Sequence, residues 1–405
     1  MKKKKIKDFL SDLFFSASGL VFMNAVISFL IYPMIRKLEG SAFQGRVLFF
    51  VSLANLAAGA FGSGANYGRM KIYAEERRSE NGDSNWFLLF TAAVSLVLTL
   101  IAVLVKKDTA DTVFPVLALL VFLTSLRMYA DVEFRLSLKY KRFSLYYAII
   151  GAGYLAGYGI WRLTGFWPLI FLLGEAAGLL YVALTGSVFR RPWFRRSDLF
   201  RKNFSTDLKV SASFFMSDLV GASDRFLFPV LLSNGDELTS LYYYASIMGK
   251  LMSLLSTPLN GVLNGYISKE EGRISRKTYG KVLLGMLGLF AAVTLLAVGV
   301  SYGFVRVFYP QDFDKARPLF LLANAGQVIF FVCNTLMVVV LRYTKERNQL
   351  IVNGLYILLF FVLTVPMILR YGLWGMAWGI FIVNAVRFLL YAGIGLISLK
   401  GEEAS

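Results

Sequence analysis

The sequence predicts an all-α polytopic membrane protein, with about 12 transmembrane helices in two pseudo-symmetric six-helix bundles and both termini cytoplasmic. Three observations carry this. Of 405 residues, 57% are hydrophobic and 17% charged, with a mean hydropathy of +0.60. A soluble domain carries about 25% charged residues. The apolar residues gather in runs of about 20, the length a helix needs to cross about 30 Å of hydrocarbon. Short motifs also recur between the two halves. Barrel strands are shorter and alternate in polarity, so helices are the spanning element.

The spans follow in order at about 10–35, 44–67, 86–105, 112–130, 144–163 and 166–188. A second set follows at 205–232, 239–267, 280–308, 318–342, 348–369 and 373–398. The run Met1-Lys2-Lys3-Lys4-Lys5-Ile6-Lys7 has the charge of a signal n-region. The apolar stretch behind it continues to Ile35 without a small-residue cleavage site, so it reads as an uncleaved first span.

The net charge is +18, from 43 basic and 25 acidic residues. The charges sit in short runs between apolar stretches, a pattern that membrane topology explains better than nucleic-acid binding. With the N-terminus inside, inner segments carry 30 Lys and Arg and outer loops 10, while Arg225, Lys250 and Arg387 lie within spans. This bias orients the chain. It places the protein in the cell membrane. There is no histidine, and the one cysteine, Cys333, lies in an apolar run. Histidine acid–base chemistry, an intrachain disulfide and a cysteine metal site are thereby excluded. No cofactor or metal is expected.

The longest inner loop, Phe189 to Asp207, interleaves basic residues with Trp193, Phe194 and Phe200. It reads either as a helix on anionic headgroups tethering two halves or as a partner-docking site. It divides the chain into an N-terminal bundle 1–188, a linker 189–204 and a C-terminal bundle 205–405. Ser16-Ala17-Ser18 and Phe29-Leu30-Ile31-Tyr32-Pro33 in the first span match Ser211-Ala212-Ser213 and Phe226-Leu227-Phe228-Pro229 in the seventh. Gly165-Phe166-Trp167 with Leu179-Leu180-Tyr181 matches Gly372-Leu373-Trp374 with Leu389-Leu390-Tyr391. Parallel repeats of this kind place a transport site near the midplane between halves.

The stretch from Tyr32-Pro33 through Arg36-Lys37-Leu38-Glu39-Gly40 to Phe43 and Gly45, then Ser52-Leu53, resembles the first hairpin of the polysaccharide flippase family. These are the O-antigen and capsule repeat-unit exporters of the multidrug/oligosaccharidyl-lipid/polysaccharide superfamily. Gly64-Ala65-Asn66-Tyr67-Gly68-Arg69 is similar to the family, as is Asp224-Arg225 followed by Tyr242-Tyr243-Tyr244-Ala245. Ser240-Leu241 departs from the family's usual glycine at the eighth span. The resemblance implies a MATE-like fold and the flipping of an undecaprenyl-pyrophosphate-linked oligosaccharide between leaflets. It also implies the pathway's polymerase and glycosyltransferases as partners. Lipid II flippases of the superfamily usually carry fourteen spans. Its drug antiporters tend to have an aspartate within the first span, where this chain has Asn24.

Ionisable groups inside a span cost about 3 kcal/mol or more and face the protein interior. Arg225, Lys250 and Arg387 are the cationic ones and suit a pyrophosphate. Glu175, Asp218 and Asp224 are the acidic ones, read as ion-coupling candidates or as structural ion-pair partners. Arg36 and Arg69 join the substrate candidates through the resemblance. Arg127, Asp131 and Arg135, at i, i+4 and i+8, read as a solvated salt-bridge ladder. Asn24 and the Asn260/Asn264 pair read as cavity lining, and Asn55, Asn324, Gln327, Asn334 and Asn384 as interhelical glue. The glycine pairs Gly64/Gly68, Gly153/Gly157 and Gly375/Gly379 predict close helix contacts. An enzyme is not expected. The only Asp-x-Asp, Asp312-Phe313-Asp314, reads as a turn, and no phosphate-binding glycine loop is present. A multidrug or other lipid exporter is the alternative function, and a membrane-embedded glycan-processing enzyme a further one.

Overall fold

The structure is a computed structural model that describes residues 2–106, 113–253, 275–343 and 346–398. Helices dominate the described residues, which include no strand. In chain order they are α1 (Lys2–Ala25), α2 (Tyr32–Ala57), α3 (Ser63–Glu76), α4 (Asn81–Lys106), α5 (Val113–Ala130), α6 (Val132–Leu136), α7 (Tyr140–Thr164), α8 (Pro168–Thr185) and α9 (Phe200–Gly221). There follow α10 (Ser223–Leu231), α11 (Gly235–Ser253), α12 (Arg276–Phe308), α13 (Phe313–Ala316), α14 (Phe320–Tyr343), α15 (Glu346–Leu359), α16 (Val365–Tyr371) and α17 (Leu373–Ser398). Three π-helical turns, Val26–Ile31, Ala58–Gly62 and Phe360–Thr364, join consecutive α-helices without a loop.

Among the described residues, nine helical stretches are long and apolar enough to cross a membrane. The first, Phe14–Tyr73, is 60 residues long. At 1.5 Å per residue it measures about 90 Å, three bilayer cores. Gly40 interrupts it, with φ 90° and ψ 175°. That conformation is open essentially only to glycine. The stretch therefore overlaps two of the expected spans, 10–35 and 44–67. The seventh and eighth coincide with α9–α10 and α11, which are more polar, and residues 254–274 lie outside the described set.

The packing of α4 shows what its solvent is. Thr91, Ser95 and Thr99 are buried, and each hydroxyl donates to the carbonyl four residues back. Leu96, Leu100, Ile101 and Leu104 point outward, the last 66% exposed. Small polar residues inside and leucine outside is the arrangement that hydrocarbon favours. The hydroxyls need no external partner, because the helix's own carbonyls accept them.

Two compact units divide the chain, Met1–Phe226 and Leu227–Ser405. In the first, α7 packs on α8 and α1, α5 on α8 and α2, and α3 on α9. In the second, α14 packs on α17 and α11, α12 on α14, and α16 on α17. All three glycine pairs lie at such contacts. A Cβ at Gly153 would meet the Gly174 Cα at 2.6 Å, and one at Gly157 the Leu169 carbonyl at 2.5 Å. Gly64 and Gly68 sit against Ser211 and Asp207, while Gly375 and Gly379 sit against Met367 and Thr364. The core of the second unit gathers Tyr279, Val332, Cys333, Leu336 and Phe388.

Asn324 behaves as interhelical glue. Its Oδ1 accepts from the Gly249 amide at 2.6 Å, and its Nδ2 donates to the Ala245 carbonyl at 2.9 Å and to Ser301 Oγ at 3.1 Å. One side chain thus ties α11, α12 and α14. The basic loop is not a helix. Residues 186–199 are irregular: apart from a turn in which the Arg190 amide donates to the Ser187 carbonyl, much of their backbone bonds to side chains of neighbouring helix ends.

Candidate functional site

The first unit encloses a buried charge pair. Arg127 enters from the last turn of α5 and Glu175 from the middle of α8. Arg127 Nε stands 2.8 Å from Glu175 Oε2, with side-chain exposures of 4% and 2%. Tyr154 of α7 donates to Glu175 Oε1 at 2.7 Å. The guanidinium also lies 5.8 Å from the Tyr147 ring centroid. A carboxylate in hydrocarbon survives only with such partners.

Beside the pair is a cavity of about 50 Å³, lined among others by Asn24, Asn55, Thr124, Arg127, Tyr154 and Glu175. Asn24 Nδ2 is committed to the Leu20 carbonyl at 2.8 Å, which leaves its Oδ1 for the cavity. The π-turn Val26–Ile31 starts just after Asn24. Such turns break the regular i→i+4 ladder and often occur at functional positions.

One turn beyond Arg127, Asp131 forms a second buried centre. Arg135 grips it with Nε and Nη2, each 3.0 Å from a carboxylate oxygen. Tyr147 donates at 3.2 Å, and Asn66 donates as well. The ladder expected here is thus half right. Asp131 and Arg135 pair, but Asp131 is only 1% exposed, and Arg127 turns to Glu175. In a buried setting, tertiary partners replace the solvent that a surface ladder would use.

The second unit holds a buried cation of its own. Arg387 of α17 is 4% exposed. Its guanidinium lies 4.6 Å from the Tyr356 ring centroid and 5.6 Å from those of Phe330 and Tyr391. Its Nη2 donates to Asn353 Oδ1 at 3.3 Å. Its Nε and Nη1 are buried without a hydrogen-bond partner. No ion pair to Arg387 occurs among the described residues. Aromatic faces stabilise the charge by about 1–2 kcal/mol each when desolvated, less than a counter-anion would.

The remaining expected site residues are dispersed. Arg225, on α10, donates to Ser52 Oγ of α2 at 2.9 Å. Asp224 is buried in the first turn of α10, and Asp218 of α9 lies against Gly59. Lys250 is half-buried near the end of α11, and Arg36 is half-buried on α2. Arg69 is a structural hub, with Nε donating to Ser79 at 3.2 Å, Nη2 to Asn81 at 2.8 Å, and Nη1 to Tyr129. Asn260 and Asn264 lie outside the described residues. Sequence reasoning missed Arg127 and Tyr154 as partners of Glu175, because the three lie on α5, α7 and α8 and share no spacing rule.

No protein-family model matches the chain, and no curated protein sequence matches it. Solved structures do share its fold. An outward-facing multidrug resistance MATE family transporter of the MOP superfamily aligns with a TM-score of 0.64 at 16% identity, over 100% of this chain and 97% of its own. A Vibrio cholerae MATE transporter aligns at 0.61 with 14% identity, covering 97% of each chain. A Pyrococcus furiosus MOP superfamily transporter, described as having a binding pocket of reverse polarity, aligns at 0.56 with 16% identity, over 98% and 96%. The fold is therefore that of the MATE transporters, an all-helical membrane fold.

Proposed function

We propose that the protein is a multi-pass membrane transporter that flips an anionic lipid-linked oligosaccharide, of the undecaprenyl-pyrophosphate class, from the inner to the outer leaflet. Arg387 carries this reading. A guanidinium buried among three rings, with two nitrogens that have no hydrogen-bond partner, is a site prepared for an external anion. Phosphate offers the bidentate acceptor that its fork matches. The cavity of the first unit agrees in sign, because Arg127 neutralises Glu175 there. That pairing suits a hydroxyl-rich glycan better than an organic cation. The likeness to a transporter with a reverse-polarity pocket supports the idea that one fold serves substrates of opposite charge.

The second reading is a multidrug exporter. Its support is the likeness to a multidrug resistance transporter of the same fold. On the flippase reading the chain works by alternating access, with the sugars in the wet interior and the lipid tail in the bilayer.

The test is transport of a fluorescent undecaprenyl-pyrophosphate glycan by the purified protein in liposomes. Wild type is compared with Arg387→Gln and Arg225→Gln. Protein-dependent flipping lost in Arg387→Gln, with the melting temperature kept, supports the reading. Efflux of organic cations without glycan flipping moves the assignment to drug export. Flipping that survives Arg387→Gln retains the function and removes Arg387 from the route.

A further inference from the structure

The basic loop at one end of the first unit is rigidly built, although it contains no regular structure. Glu133 Oε2 accepts from the amides of Ser187 at 2.8 Å and Val188 at 3.0 Å. Asn81 Nδ2 donates to the carbonyls of Ser187 and Arg190. Asn85 Nδ2 donates to the Trp193 carbonyl at 2.7 Å, and Trp86 Nε1 to that of Phe194 at 3.0 Å. Buried Asp83 accepts from the Ser197 amide at 2.8 Å. Gly82 lies so close to the Arg195 backbone that a Cβ there would overlap it. The inward side of the loop is thus spent on its own protein.

The outward side is different in kind. Arg190, Arg191, Arg195 and Arg196 are exposed, and so are Trp193 (54%) and Phe194 (53%). The loop's one acid, Asp198, is taken by Arg78. No carboxylate pairs with the four arginines among the described residues. The Arg196 guanidinium carbon lies 4.5 Å from the Trp86 ring centroid and 4.7 Å from that of Phe200. The loop hangs on the first turn of α4, a helix of 26 residues. That is about 39 Å, longer than the hydrocarbon, so the first turn reaches the headgroup layer. Aromatic rings and arginines side by side at that depth match what the layer offers, an apolar boundary beside phosphates.

We infer that this loop is a binding surface for the headgroups of anionic phospholipids, with Trp193 and Phe194 seated at the acyl boundary and the four arginines on the phosphates. Charge complementarity selects the occupant. Four unpaired arginines beside two exposed rings fit a layer that is anionic and amphipathic, whereas a soluble polyanion would leave the rings in water.

The experiment uses the full chain in detergent, exposed to equal phosphatidylglycerol and phosphatidylcholine, with retained lipids counted by native mass spectrometry. Wild type is compared with a variant carrying R190Q, R191Q, R195Q and R196Q, and with a control carrying R162Q, R306Q and R370Q. The excess of phosphatidylglycerol should fall at least about tenfold in the loop variant and stay unchanged in the control. W193A/F194A should reduce retention of both lipids while keeping the preference for phosphatidylglycerol. Circular dichroism and melting confirm that each variant folds. Equal phosphatidylglycerol retention by wild type and a folded loop variant overturns the inference. So does loop-dependent binding of a short RNA or a polyglutamate peptide with no phosphatidylglycerol preference, which would reassign the surface to a soluble partner.

Discussion

Arg127 Nε and Glu175 Oε2 are 2.8 Å apart in the interior of the first unit, and Tyr154 completes the carboxylate's shell at 2.7 Å. Removing one partner of a buried pair strands the other. Arg127→Leu should therefore lower stability by about 3–5 kcal/mol, and the double variant R127L/E175L should recover much of that loss. Thermal unfolding in detergent measures both. A double variant no better than the single one would show that the pair is not the source of the loss.

The contact of α7 with α8 rests on Gly153 and Gly157, which face backbone at 2.5–2.6 Å, whereas Gly159 on the same helix faces open space. Gly157→Val should cost about 1–3 kcal/mol or block folding. Gly159→Ala should be neutral or slightly stabilising. Comparing the yield and melting of the two variants separates packing from glycine content. Equal behaviour would mean that the helices do not meet there.

Asn324 links three helices through three hydrogen bonds. Asn324→Leu leaves the Gly249 amide without its acceptor, and the expected loss is about 1–3 kcal/mol. Asn384 donates to a single carbonyl, Gly326, at 3.3 Å, so Asn384→Leu should cost less. The ranking by melting temperature is the check, and a reversed order would refute this account.

Lys202 of α9 bonds to Glu75 and Glu76 at the end of α3. The Lys202 hydrogen bond holds the Glu75 carboxyl below its usual 4.5. A lowered carboxyl favours the folded form above 4.5, and the advantage disappears as pH falls through the lowered value. The last turn of α3 should therefore exchange amide hydrogens more slowly in the wild type than in Lys202→Met, and only above that window. At the alkaline end the tether is lost as Lys202, raised above 10.5, deprotonates. A pH-independent difference between the two proteins would contradict the tether.

The helices, the glycine contacts and the burial of Arg387 were legible in the sequence because each depends on local pattern: apolar length, i+4 spacing, or a charge inside an apolar run. The partner of Glu175 was not. Arg127 stands beside Asp131 in sequence, so local spacing offered a ladder, and only the packing of α5 against α8 reveals the longer-range pair. Asp131 shows the same limit from the other side, since its ladder partner Arg135 was visible but Tyr147 and Asn66 were not. The basic loop misled in a related way. Its arginine-aromatic alternation is compatible with a surface helix, but Asn81, Asp83, Asn85 and Glu133, which capture its backbone, lie about 50–110 residues away.

Gly40 is the one break in the stretch Phe14–Tyr73, and helix resumes on either side of it. The first two crossings consequently share a hinge one residue wide. A protease, an inserted epitope tag or a membrane-impermeant label finds almost no chain to work on between them. Mapping which side of the membrane that hinge occupies therefore needs a single-residue reporter, such as a lone cysteine at Ser41 in a Cys333→Ser background.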